Sequence, residues 1–92
     1  MGRGTRPKPK RLAEKLRQAR ESLNLSQDEM VRALKSPEEI NRNYVSGYER
    51  GTREPSLLTL LAYSKLTGAS MEAFVDDKLD LPGRLTARHQ RL

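Results

Sequence analysis

The chain has 92 residues, which is enough for one small domain with a modest core. It contains no cysteine, so disulfides and thiolate metal sites such as zinc fingers are excluded. No apolar run approaches the ~18 residues that would span a membrane, and the N-terminus lacks an apolar signal region. We therefore expect a soluble, intracellular protein with no membrane association.

The net charge of +6 is confined to the two ends of the chain. Residues 1–11 carry +5 and residues 84–92 carry +3, whereas residues 12–83 carry −2. Basic ends on a near-neutral centre fit a nucleic-acid partner, and they equally fit solvated tails that only aid solubility.

Residues 1–9 combine glycine, proline and basic side chains without apolar periodicity. This composition predicts a flexible arm, because it cannot bury a core. Such an arm can lie along phosphates or enter a minor groove. The basic residues available for these contacts are Arg3, Arg6 and Lys8 in the arm and Lys10 directly after it.

An apolar stripe predicts the first helix, from about Lys10 to Leu23. The stripe consists of Leu12, Leu16, Ala19 and Leu23. Charged residues between these positions, Lys15 among them, are predicted to face solvent.

A second helix is predicted from Gln27 to about Lys35, because Ser26 and Glu29 can form a capping box at its start. The next four residues, 36–39, read Ser-Pro-Glu-Glu and are themselves a good helix start. Two outcomes are open here. The segment forms an extra helical turn that ends before Asn41, or it lengthens the following helix toward its N-terminus.

A short third helix is predicted between an N-cap at Asn41 and a left-handed stop at Gly51. Val45 and Tyr48 share one face of this helix. The solvent side of this helix carries side chains that hydrogen-bond base edges and phosphates, namely Arg42, Asn43, Ser46 and Arg50. Two short helices of which the second is decorated in this way are typical of a DNA-reading helix-turn-helix.

Ser56 is predicted to cap a fourth helix that is apolar nearly all round, which indicates a central buried helix ending at Gly68. Ser70 caps a short fifth helix. The predicted core has Leu61 at its centre and consists of Leu12, Leu16, Ala19, Leu23, Met30, Leu34, Ile40, Val45, Tyr48, Leu57, Leu60, Leu61, Leu66, Met71 and Phe74. Three later residues have no obvious partner in the chain and predict either a dimer surface or a loose tail: Val75, Leu79 and Leu81.

Residue types that carry enzyme chemistry are not grouped in this sequence. The sole histidine, His89, lies in a basic tail without a nearby carboxylate. Asp76, Asp77 and Asp80 lack the glycine of a calcium-binding loop. We find no phosphate-binding glycine loop and no nucleophile–base pair, so we expect no enzymatic activity, no cofactor and no metal site.

Three segments resemble the Xre/Cro-type helix-turn-helix family of phage-repressor-like regulators. They are Ser-Gln-x-Glu at 26–29, Tyr-Glu-Arg-Gly at 48–51, and Glu-Pro-Ser at 54–56 followed by a leucine-rich helix. The similarity covers roughly Leu12 to Val75. There are two departures: residues 36–39 look like an insertion in the inter-helix turn, and Gly47 stands where the family usually has a long polar side chain. Because Ile40 precedes Val45 by five residues, as does the buried apolar residue of the family turn, we favour a separate turn and a helix restored at Asn41.

The resemblance implies an all-α fold, a five-helix phage-repressor-like DNA-binding domain with a helix-turn-helix over residues 10–75. The basic arm, residues 1–9, precedes this domain, and residues 76–92 follow it as a C-terminal tail available for dimerisation or for a partner. The family resemblance also implies a structural salt bridge between Arg20 and Glu49.

The DNA-binding residues expected from the family pattern and the residue chemistry cluster in and around the third helix. They are Gln27, Asn41, Arg42, Asn43, Tyr44, Ser46, Gly47, Arg50 and Arg53. Arg42 suits guanine and Asn43 suits adenine. Gln27, at a helix N-terminus, is expected to meet a phosphate or a base. Gly47 is expected to permit close approach of the backbone to DNA. Mostly phosphate contacts are expected from Tyr44, Ser46, Arg50 and Arg53.

The preferred interpretation is a sequence-specific regulator of transcription that binds double-stranded DNA. It would be a repressor that binds a palindromic operator as a homodimer, in the cytoplasm of a bacterial or phage-infected cell and associated with the nucleoid. The alternative is an antitoxin or adaptor whose helix-turn-helix serves mainly protein–protein interaction, with a protein partner bound through residues 76–92. Salt-sensitive binding to duplex DNA that differs between sequences distinguishes the two.

Overall fold

The computed structural model describes residues 8–83 and 85. This part of the chain contains five α-helices and no strand, so the prediction of an all-α fold is confirmed. The helices are α1 (Leu12–Ser22), α2 (Gln27–Leu34), α3 (Arg42–Arg50), α4 (Leu57–Thr67) and α5 (Met71–Val75). The predicted arm residues Arg3 and Arg6 and the histidine at 89 lie outside the described residues. None of these five helices has the length and apolar character needed to cross a membrane.

Local capping fixes the starts of α2 and α3 where the sequence predicts them. Ser26 Oγ accepts a hydrogen bond from the Glu29 N–H at 3.0 Å, and the Glu29 carboxylate accepts one from the Ser26 N–H at 2.8 Å. Accepting this backbone hydrogen bond lowers the pKa of Glu29. Asn41 Oδ1 accepts from the Tyr44 N–H, and Gly51 ends α3 in the left-handed conformation at φ +77°.

The inter-helix segment 36–39 is a bend that packs on α4, and the helical turn suggested by its sequence is not formed. The expectation that α3 begins after an Asn41 cap is met, and α3 is not lengthened. Ser36 Oγ lies 3.0 Å from Thr59 Oγ1, and a Glu38 carboxylate oxygen accepts from the same hydroxyl at 3.0 Å. Carboxylates are favoured near the positive end of a helix, which explains why Glu38 turns to the first turn of α4 instead of starting a helix.

The N-terminus of α1 is capped by a residue far along the chain. Arg11, the N-cap position, makes no capping hydrogen bond with its own side chain. Instead the Asp77 carboxylate accepts from the backbone N–H groups of Lys10 and Arg11, at 2.9 and 3.0 Å. These two hydrogen bonds lower the pKa of Asp77.

Lys15 is buried, with none of its surface exposed, so the prediction that it faces solvent is wrong. Its ammonium donates to the carbonyl oxygens of Ala73 at 2.8 Å and Asp76 at 2.9 Å, at the end of α5. The last carbonyls of a helix have no partner within the helix, and the negative end of its dipole favours a cation. The end of α5 therefore supplies a polar site that a lysine on α1 fills.

The buried core differs from the predicted one mainly on α4. The core consists of Leu12, Leu16, Ala19, Met30, Leu34, Val45, Tyr48, Leu60, Ala62, Tyr63, Leu66, Ala69, Ala73, Phe74, Leu81 and Leu85. Leu57 is 76% exposed and Leu61 is only partly buried, so placing Leu61 at the centre of the core was wrong. Because apolar residues lie on every side of α4, its sequence has no period that shows which side is buried.

Tyr63 occupies the position expected for Leu61. It is fully buried, and its ring meets Tyr48 edge-on at 6.4 Å and Phe74 at 6.1 Å between centroids. Its hydroxyl has no hydrogen-bond partner in the described part of the chain, and burial raises the pKa of that hydroxyl.

The packed chain continues past Val75, the expected end of the domain. Leu81 and Leu85 are buried in the core, so the expectation that Leu81 lacks a partner within the chain is wrong. Val75 and Leu79 remain 39% and 38% exposed. Two leucines at the start of α4 are more exposed still, Leu57 and Leu58.

Candidate nucleic-acid interface

The outer face of α3 carries the polar side chains that the sequence singled out. At 100° per residue, Val45 and Tyr48 fall on one side of this helix, and both are buried. Asn43 lies on the opposite side and Arg42 on the flank, three residues before Val45, and both are exposed in the first turn. Two donors able to reach base edges or phosphates therefore stand at the N-terminal end of α3, where a recognition helix contacts bases.

Arg50 lies along the last turn of the same face. Its Nε donates to Ser46 Oγ at 3.2 Å and to the Ser46 carbonyl oxygen at 3.3 Å. Both contacts use Nε, so the two terminal nitrogens of the guanidinium remain donors for a phosphate. Asn41, also expected at the interface, uses its Oδ1 to cap α3, which leaves its NH₂ as the group that can meet DNA.

A nearly buried ion pair fixes α3 against α1. Arg20 donates from Nε and Nη2 to the two carboxylate oxygens of Glu49, at 2.7 and 3.0 Å. The Glu49 side chain is only 4% exposed and the Arg20 side chain 15%. This bidentate contact raises the pKa of Arg20, and Arg20 Nη1 also donates to the Leu25 carbonyl oxygen. The salt bridge implied by the resemblance is thus present and sets the orientation of α3.

Gln27, at the start of α2, is joined to this pair. Its amide nitrogen donates to Glu49 at 3.2 Å. Gln27 also lines a depression of about 230 Å³ whose other residues are Arg17, Arg20, Ser46, Glu49 and Arg50. The depression lies at the N-terminus of α2, where backbone N–H groups attract a phosphate.

Arg17 also lines this depression, although it is not among the DNA-binding residues predicted from the sequence. It is exposed and pairs with Glu21 at 3.0 Å on its own helix. The signal that identifies it is its spacing, because a residue three before Arg20 lies on the same helix face. An exposed ion pair of this kind contributes little stability, so Arg17 can leave Glu21 and bind a phosphate.

Gly47 lies on the outer face of α3 and is nevertheless buried. The loop after α3 folds back on it: its carbonyl oxygen accepts from the N–H groups of Thr52 at 3.0 Å and Arg53 at 3.2 Å. A Cβ at position 47 would lie 3.0 Å from Arg53 Cβ. The close approach that this glycine permits is therefore made by the protein's own loop, where the sequence led us to expect DNA.

Arg53 is held over Tyr44 on the same surface. Its guanidinium carbon lies 4.0 Å from the centroid of the Tyr44 ring, which is a cation–π contact. Two of the basic arm residues are close by. Lys8 and Lys10 line a cleft of about 400 Å³ that is also bounded by the loop 51–55. Lys8, Lys10 and Arg53 thus border the same cleft.

Comparison with known protein families also identifies a helix-turn-helix domain in this chain. The family model described as helix-turn-helix matches residues 16–74, well over half of the chain. Searches of curated proteins and of solved structures gave no match. The matched span includes both helices of the pair, the Arg20–Glu49 salt bridge and the polar face of α3. The chain therefore belongs to the Xre/Cro-type helix-turn-helix family of DNA-binding regulators.

Proposed function

We propose that this protein is a sequence-specific regulator of transcription that places α3 in the major groove of duplex DNA. The observation that carries the proposal is the pairing of an exposed donor face on α3 with the Arg20–Glu49 contact behind it. A recognition helix reads bases only if its orientation is fixed, and a bidentate ion pair that is almost fully buried fixes it.

Base reading is assigned to the first turn of α3. Arg42 suits the O6 and N7 acceptors of guanine, and Asn43 suits N6 and N7 of adenine. Arg50 and Ser46, with Arg17 and Gln27 of the same depression, are assigned to phosphates on either side of the groove. Lys8, Lys10 and the arm before them are assigned to the phosphate backbone, which raises affinity without selecting sequence.

We further propose that the protein acts as a homodimer on a palindromic operator, on the nucleoid of a bacterial or phage-infected cell. A symmetric dimer places two copies of α3 about 34–36 Å apart, in successive major grooves. Val75 and Leu79 are partly exposed apolar residues in and just after α5 and supply the contact surface. Occupation of the operator by such a dimer represses transcription by blocking access to the promoter.

The experiment is selection of binding sites from random duplex DNA, followed by affinity measurements on the selected site. The proposal predicts an enriched motif with two related half-sites about one helical turn apart. Arg42→Ala and Asn43→Ala are each expected to lose about 1–3 kcal/mol on that site and to relax the preference at one base position. Recovery of no enriched sequence, with binding equal on all duplexes, would contradict the proposal.

A second candidate function is an antitoxin or adaptor that uses this fold mainly to bind protein. It is supported by Leu57 and Leu58, which are 76% and 58% exposed, and by an apolar groove of about 480 Å³ between α2 and α4. The partner segment expected at 76–92 supports it less, because Asp77 and Leu81 are engaged with the domain. The same selection tests this candidate, since an adaptor that binds only protein enriches no DNA sequence.

A further inference from the structure

The middle of the outer face of α3 has no side chain of its own. Asn43, Gly47 and Arg50 are spaced at i, i+4 and i+7, so they form one stripe along the helix, opposite Val45 and Tyr48. Gly47 is the central member of this stripe. On a helix that lies in a groove, side chains of such a solvent-facing stripe are directed toward the DNA.

The stem of Arg53 fills the space above Gly47. An ideal Cβ at position 47 would lie 3.0 Å from Arg53 Cβ and 3.8 Å from Arg53 Cδ. The backbone of the loop is fixed in this position, because the Gly47 carbonyl oxygen accepts from the N–H groups of Thr52 and Arg53. Arg53 is outside α3 in the sequence, yet its side chain covers the part of the α3 face that Gly47 leaves bare.

The end of the Arg53 side chain reaches the first turn of α3. Its guanidinium lies 4.0 Å above the ring of Tyr44, which is three residues before Gly47 and next to Asn43. Stacking on an aromatic face orients the planar guanidinium and limits its freedom while its N–H groups remain donors. The charged group therefore stands in the half of the helix where recognition helices contact bases.

We propose that Arg53 is a base-reading residue that replaces the side chain absent at Gly47, and that its target is a guanine in the major groove. The arginine fork fits guanine O6 and N7. Tyr44 is a positioning residue, which acts by holding the guanidinium in place. This inference rests on the proposed function, and it changes the role of Arg53 from a phosphate contact to a specificity determinant.

The test compares Arg53→Ala with Arg50→Ala on the site selected by the wild-type protein and on variants of that site at every position. Arg53→Ala is expected to bind the preferred site roughly 5- to 150-fold more weakly and to lose discrimination at one guanine. Arg50→Ala, the matched control from the same surface, is expected to weaken binding by equal factors on all the duplexes. Thermal midpoints of the free proteins verify that both variants are folded.

Tyr44 is tested by the same profile of base preferences. Tyr44→Phe keeps the ring and is expected to keep the preference for the Arg53 guanine. Tyr44→Leu removes the ring and is expected to flatten that one position, with no further loss of preference when combined with Arg53→Ala. If Tyr44 is only structural, Tyr44→Leu instead weakens binding to all duplexes alike, and its positioning role is wrong.

The outcomes separate this inference from the proposed function. If Arg42→Ala and Asn43→Ala each relax a base position while Arg53→Ala weakens all duplexes equally, Arg53 is a phosphate contact and the inference fails. In that case the proposed function stands. If the wild-type protein shows no base preference at any position, the proposed function fails and the inference fails with it.

Discussion

The two ends of α1 are both held by basic side chains, and they serve different parts of the molecule. At the C-terminal end Arg20 pairs with Glu49 and orients α3, the proposed DNA-reading helix. At the N-terminal end Lys15 donates to backbone carbonyls of α5 and the residue after it, and Asp77 caps the helix in return. The first contact organises the interface and the second closes the fold. The chemistry differs as well, because Arg20 pairs with a carboxylate whereas Lys15 donates to main-chain carbonyl oxygens.

The largest loss of stability is expected from breaking the Arg20–Glu49 ion pair at the C-terminal end of α1. Arg20→Met leaves the Glu49 carboxylate almost fully buried without its charge partner, so we expect a loss of about 3–5 kcal/mol in unfolding free energy. Urea unfolding measures it. The double variant Arg20→Met/Glu49→Gln removes the stranded charge and is expected to recover a substantial part of the loss. A loss below about 1 kcal/mol for the single variant would show that the pair behaves as a surface contact.

Removing the Lys15 contact at the N-terminal end of α1 is expected to lower the unfolding free energy by a smaller amount. Lys15→Met keeps the apolar stem but leaves the Ala73 carbonyl oxygen buried without its donor, which costs about 1–3 kcal/mol in urea unfolding. Arg17→Met, two residues away and exposed, is the matched control, and it is expected to change stability by less than about 0.5 kcal/mol. Equal losses in the two variants would mean that the buried ammonium has no special role.

Acid is expected to weaken the N-terminal end through its aspartates. Backbone hydrogen bonds from Lys10 and Arg11 lower the pKa of Asp77, and the contact with Arg11 lowers the pKa of Asp80. A carboxyl group whose pKa is lower in the folded state stabilises the fold above its unfolded pKa, near 3.8. This stabilisation is lost as the pH falls through the lower, folded-state pKa.

The measurement is unfolding free energy between about pH 5 and pH 2 for the wild type and for Asp77→Asn. The wild type is expected to lose stability more steeply, because Asp77→Asn has no carboxylate to protonate. Glu39→Gln, at an exposed position on the inter-helix bend, is expected to leave the wild-type profile unchanged. Parallel profiles for the wild type and Asp77→Asn would contradict the capping role of Asp77.

The smallest effect is expected at Tyr63, whose ring connects the two ends by touching Tyr48 on α3 and Phe74 on α5. Its buried hydroxyl has no partner among residues 8–83 and 85. Tyr63→Phe keeps the packing and removes the unpaired group, so unfolding free energy is expected to stay the same or to rise by less than about 1 kcal/mol. A clear loss of thermal stability would mean that the hydroxyl has a stabilising partner.

The comparison also shows why some contacts were predictable from the sequence and others were not. Capping by Ser26 and Asn41 depends on neighbours in the chain, so short patterns identified it. The Arg20–Glu49 pair followed from the resemblance. The burial of Lys15 was not predicted because its partners are backbone carbonyl oxygens. Every residue has such a group, so no residue type in the sequence indicates this contact.

The same physical limit applies to the candidate site. The exposed position of Asn43 followed from the periodicity of α3, in which Val45 and Tyr48 face the core, whereas Arg42 lies three residues before Val45 and is exposed in the first turn. The arrangement of Arg53 over Tyr44 did not follow, because it depends on a loop that folds back across Gly47. The spacing of apolar residues predicts which face of a helix is exposed. It does not predict which side chains of a later segment pack against that face.

The most direct test of the central claim, that α3 reads bases in the major groove, is methylation interference on the selected duplex. Methyl groups on guanine N7 project into the major groove and block an arginine fork. N7 methylation of the guanines assigned to Arg42 and Arg53 is expected to prevent binding, and Arg42→Ala is expected to remove the sensitivity at one of them only. Binding that is unaffected by N7 methylation at every guanine of the site would contradict the placement of α3 in the major groove.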